Sequence, residues 1–129
     1  MESPNVEYTT LFREQIVRNT RSILEQLKSF GESNLSDEIR NKALHILSYS
    51  LELEGAWPYT RQLLLALAPK MEKAGYREDW IPFLTLGIKQ SHDFQDSTTE
   101  AALHLHLGIL YQLLSNFEMA VNEFRVSVT

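Results

Sequence analysis

Apolar residues recur along most of this chain at spacings of three, four and seven, the period of helices with one buried face. From Thr9 onward, Leu11, Phe12, Ile16, Ile23, Leu27 and Phe30 predict a first helix that Gly31 closes. Residues 1–8 are polar and aperiodic, and they read as a flexible lead-in. Ser36, followed by Asp37 and Glu38, predicts a capped second helix that carries Ala43, Ile46 and Leu47 inward and runs to about Glu54, before Gly55. Trp57-Pro58 opens a third helix that continues to Lys73, with a kink expected at Pro69. Asp79 predicts the cap of a fourth, with Pro82 in its first turn and a stop near Gln90. After a polar linker over 91–97, Thr98 or Thr99 starts a fifth; Ser115-Asn116 turns the chain, and a sixth starts near Phe117 and is still running at Thr129.

About six helices and no predicted strand make an all-α fold of antiparallel hairpins over roughly 9–54, 57–91 and 98–129, the last ending in mid-helix. Repetition decides between a bundle and a solenoid. At an offset of 40 residues, Leu64 meets His104, Leu67 meets Leu107, Ala68 meets Gly108, Met71 meets Tyr111, Trp80 meets Ala120 and Leu84 meets Phe124. The final hairpin reads His104-x2-Leu107-Gly108-x2-Tyr111, then Phe117 and Ala120-x3-Phe124. In it Gly108 and Ala120 are the small residues that let two helices close on one another.

This pattern resembles the tetratricopeptide repeat, Trp-x2-Leu-Gly-x2-Tyr followed by Ala-x3-Phe and Pro. Three places depart from it: His104 replaces the tryptophan, the closing proline is missing, and Trp80 stands where a small residue is expected. The first hairpin fits more loosely, with Ala43-x3-Leu47 lying 37 residues before Trp80-x3-Leu84. The 40-residue period, the Gly75-Tyr76 pair and the linker after Ser91 make the chain similar to the tetratricopeptide arrays of bacterial STAND-class signalling ATPases and related transcriptional regulators. That resemblance implies a right-handed superhelical α-solenoid serving as a noncatalytic arm for binding protein or peptide. It also implies that the first helices of the hairpins line the concave face. By helical spacing their outward residues are Gln62, Leu65, Pro69, Glu72, Lys73, Ala102, Leu105, Ile109, Gln112 and Leu113, an apolar groove. Leu105 and Ile109 stand where arrays that grip chaperone C-terminal carboxylates resemble one another in placing Lys and Asn, which argues against that mode here.

Charge and composition narrow the chemistry. The net charge of -5 has the wrong sign for attraction to phosphate backbones, so nucleic acid is not an expected direct partner. No apolar run is long enough to span a membrane, and the start lacks a secretory pattern, so a cytoplasmic location is expected. Zero cysteines remove thiolate zinc sites and cysteine nucleophiles. His104-x-His106 points two ways on a helix, so His104 reads as a hairpin filler and His106 as a surface residue; His45 and His92 have no ligand-spaced companion. There is no phosphate-cradling loop and no nucleophile elbow, and the acidic pairs Glu52/Glu54 and Glu78/Asp79 read as solvated helix ends, so no cofactor is expected. The alternative is a small helical enzyme or small-ligand sensor, which requires polar groups such as His92, His104, His106, Asp93, Asp96 and Glu100 to converge on one cavity. Tyr111, Leu114, Phe117, Val121, Phe124 and Val128 cannot all face one hairpin, so a homodimer through the C-terminal hairpin is expected.

Overall fold

A computed structural model of the chain describes residues 4–30, 35–53, 55–73 and 77–128, with side chains undescribed for 4–9, Phe30 and Lys73. It contains α1 (Pro4–Phe30), α2 (Asp37–Ser50), α3 (Trp57–Lys73), α4 (Arg77–Asp93), α5 (Ser97–Leu113) and α6 (Phe117–Ser127), and no strand among the described residues. Gly31 and the Gly75-Tyr76 pair lie outside those residues. No helix is long and apolar enough to cross a membrane among those described.

Several boundaries move from the expected places, each for a local reason. The helix α1 begins at Pro4, so most of the anticipated lead-in is helical; a proline in a first turn loses no hydrogen bond there. Ser36 caps α2 as expected, accepting from the Ile39 amide at 3.3 Å. The helix ends at Ser50 rather than near Glu54, and the chain reverses at Gly55, whose φ of +86° a side chain would resist. Asp79 lies inside the first turn of α4 rather than capping it, so Pro82 falls one turn deeper than expected. The predicted linker over 91–97 shrinks to Phe94–Asp96, because Ser91 to Asp93 complete α4. In place of Thr98 or Thr99 as the opening residue, Asp96 caps α5 by accepting from the Thr99 amide at 3.2 Å.

Five helices begin at Asp37, Trp57, Arg77, Ser97 and Phe117, each twenty residues after the last. The connection after α4 and the one after α5 are copies. Gln95 and Ser115 take φ of 57° and 62°, and the next amides, Asp96 and Asn116, each reach back to a carbonyl five residues earlier at 2.8 Å. These are Schellman closures followed at once by Asx caps, so each helix is stopped and the next one started within three residues.

The same period governs packing. Ile23, Leu63 and Leu103 are all buried, as are Leu27, Leu67 and Leu107, and Arg40, Trp80 and Ala120. Thr20 and Thr60 are buried forty positions apart, and each hydroxyl donates to the carbonyl four residues before it, Ile16 at 2.7 Å and Ala56 at 3.0 Å. The first hairpin therefore keeps the 40-residue register rather than the 37-residue one read from Ala43-x3-Leu47. Contacts run between chain neighbours and between successive first helices: α1 meets α2 and α3, α3 meets α2, α4 and α5, and α5 meets α4 and α6.

Candidate functional site

The repeat-motif residues form the interior. Leu64, Leu67, Ala68, Met71, Trp80, Leu84, Leu107, Gly108 and Ala120 are buried, Tyr111 packs half-buried against the core, and Phe124 lies half-buried over Gly108. A Cβ on Gly108 would come within 2.6 Å of the Phe124 ring. His104, expected as a hairpin filler, is half-buried, and its Nδ1 lies 2.6 Å from the Glu123 carboxylate, which ties α5 to α6. Phe117 is 62% exposed, because it is the first residue of α6 and follows directly on the Asn116 cap.

Trp80, the bulky residue in a small-residue position, is fully buried and stacks on Phe83. A close approach of helices occurs two turns later. At Gly87 a Cβ would meet Leu64 of α3 at 2.7 Å and Leu103 of α5 at 3.0 Å, so three helices converge on that backbone.

The residues expected to face outward differ in exposure. Gln62, Pro69, Leu105, Gln112 and Leu113 are exposed, while Leu65, Glu72, Ala102 and Ile109 are half-buried. The side chain of Lys73 is outside the described residues. On α3 the open stripe is Pro58, Gln62, Leu65, Pro69 and Glu72; on α5 it is Thr98, Ala102, Leu105, Ile109 and Gln112, the same positions forty residues on. The sequence reading did not extend this stripe to α1, where Arg18, Ser22, Glu25 and Ser29 occupy the same register and are all exposed. The forty-residue offset was the signal that could have found them. Across the three helices the stripe passes from charged and hydroxyl side chains on α1 to Ala102, Leu105 and Ile109 at the middle of α5, where Leu105 is 44% exposed.

Polar ties hold this row of helices together. Trp57 Nε1 and an Arg61 guanidinium nitrogen of α3 each donate to Oδ2 of Asp96 at 3.1 Å, and Phe94 stacks on Trp57 at 5.9 Å. Burial pushes the Asp96 carboxyl up, but hydrogen bonds from the Thr99 hydroxyl and amide, Arg61 and Trp57 outweigh it and bring the pKa down to about 2. Farther along, His106 is not a bare surface residue: its Nδ1 lies 3.0 Å from a Glu72 oxygen, at the edge of the stripe. Both links progress in the same direction along α3 and α5, so these two helices run parallel.

His92 pairs with Glu100 at 3.2 Å while Asp96 is engaged by Trp57 and Arg61, and no three His, Asp or Glu side chains gather as a metal site among the described residues. One cleft of about 260 Å³ opens between α1 and α2, with Asn19, Ser22, Gln26, Lys42 and His45 around a floor of Ile23 and Ile46. No protein-family model, curated protein or solved structure matches the chain.

Proposed function

We propose that this chain is a noncatalytic, cytoplasmic protein-binding module, a tetratricopeptide-like α-solenoid serving as an arm of a larger signalling or regulatory protein. In this reading the hairpins wind as a right-handed superhelix, a peptide or protein segment lies along the stripes of α1, α3 and α5, and copies associate through the C-terminal hairpin. The observation that carries it is the open stripe itself, accessible on three successive first helices in one 40-residue register. The main helix contacts among the described residues run between neighbouring units, which fits the packing of a quasi-one-dimensional array, and an array leaves such a face uncovered. The acidic chain and the apolar end of the stripe favour a segment with aliphatic anchors over a nucleic acid.

Selection from a displayed random-peptide library tests this. Peptides with aliphatic anchors should be enriched, and the double variant Leu105→Glu, Ile109→Glu should lose their binding while its far-ultraviolet circular dichroism stays at the wild-type level. No enrichment, or retention by the double variant, would overturn the groove.

The α1/α2 cleft favours a second reading, a sensor of a small anionic ligand, since Lys42, His45 and two amide side chains line it without a carboxylate. Titration with citrate or inorganic phosphate, followed by melting temperature in wild type and Lys42→Gln, tests that reading: a stabilisation lost in the variant supports it.

A further inference from the structure

A second apolar surface lies on α6. Ile81 and Ile88 of α4 are half-buried against the core, whereas Val121 and Val128, their counterparts forty residues on, are 48% and 85% exposed. With Phe117 and the half-buried Phe124 they form one stripe along α6, at spacings of four, three and four. The stripe is bordered on one flank by Glu118 and Arg125, two turns apart, both exposed and absent from the ion pairs among the described residues.

That pairing of charges selects an occupant. When two identical helices meet antiparallel across a twofold axis, each flank faces the same flank of its partner with the direction reversed. An axis passing between Val121 and Asn122 sets Glu118 opposite Arg125 of the second copy, and Arg125 opposite its Glu118, with both apolar stripes buried between. A parallel pair would set this flank against the opposite flank of its partner, so Glu118 and Arg125 would not meet. We infer that α6 is the contact surface for a second copy of this chain, bound antiparallel and keyed by two symmetric Glu118–Arg125 ion pairs. This rests on the self-association proposed above and adds its geometry. Eleven residues per helix bury less than the 1,200 to 2,000 Å² of a stable interface, so the dimer is weak and concentration-dependent.

Sedimentation equilibrium across a concentration series reaching the millimolar range, at low salt, reads this out. The wild-type chain should dimerise. Glu118→Arg and Arg125→Glu should each weaken it by about tenfold, since two attractions become two repulsions, and the double exchange should restore it. Circular dichroism checks that each variant is folded. A wild-type chain that stays monomeric would overturn self-association and register together. A dimer indifferent to the single exchanges, or not restored by the double one, would overturn the antiparallel register alone, and Val121→Glu would then show whether the α6 stripe is the contact at all.

Discussion

The indole of Trp57 donates its N–H to Asp96 across 39 positions of sequence, joining the first residue of α3 to the cap of α5. One carboxylate thereby does three things: it terminates the free amides of a helix, satisfies a buried indole, and holds Arg61 across the gap between consecutive hairpins. The joint between these two hairpins is thus fixed by side chains from both.

Asp96→Ala should therefore cost about 2 kcal/mol, the loss of a helix cap together with a buried donor left unpaired. Urea denaturation checks this. A loss below about 0.5 kcal/mol would mean that the cap and indole bonds are not holding the joint.

The acid response follows from the sign of the Asp96 shift. Its carboxyl titrates at about 2 in the folded chain against an ordinary 3.8, so the ionised form stabilises the fold fully above pH 3.8, and that contribution disappears as the pH falls towards 2. Asp96→Asn keeps an oxygen for the cap and loses the charge. Its deficit against wild type should be constant above about pH 5 and shrink between pH 4 and 2 in denaturation midpoints. A deficit unchanged over that range would detach the carboxylate from stability.

Gly87 and Gly108 should respond differently to a methyl group. At Gly87 it wedges between two fully buried leucines from different helices, so Gly87→Ala should cost about 1 to 3 kcal/mol. At Gly108 the obstacle is the half-buried Phe124 ring, which can swing outward, and alanine's better helix propensity returns up to about 1 kcal/mol. Gly108→Ala should fall within about 1 kcal/mol of wild type, whereas Gly108→Leu should cost about 1 to 3. Thermal melts of the three variants rank them, and the reverse order for the two alanines would contradict the packing.

The helical character of the chain was legible because helical period depends only on residue order. Once Leu63, Leu67 and Met71 face in, Gln62, Leu65 and Pro69 are what remains on the other side. The first hairpin was harder for a specific reason: Arg40 sits in the buried register position that Trp80 and Ala120 hold, and a charge there hides the repeat until Asp37, 2.9 Å away, is seen to accept from it. Gly87 resembles any mid-helix glycine, since what makes it necessary is Leu64 and Leu103, side chains 23 and 16 positions away on other helices. Asp96 looked like linker because its partners lie 39 and 35 residues upstream.

The twenty-residue beat of helix starts makes this chain divisible. Gly55 and Gln95 both turn with positive φ immediately before an odd-numbered helix, so cutting out residues 56–95 would join Gly55 directly to Asp96 and leave α2 entering α5 through a bend of the kind it already uses. Leu103 and Leu107 would then take the register positions of Leu63 and Leu67, aliphatic for aliphatic. Removal or duplication of forty residues at these points would shorten or lengthen the row of helices by one whole hairpin, with a positive-φ turn at the new junction.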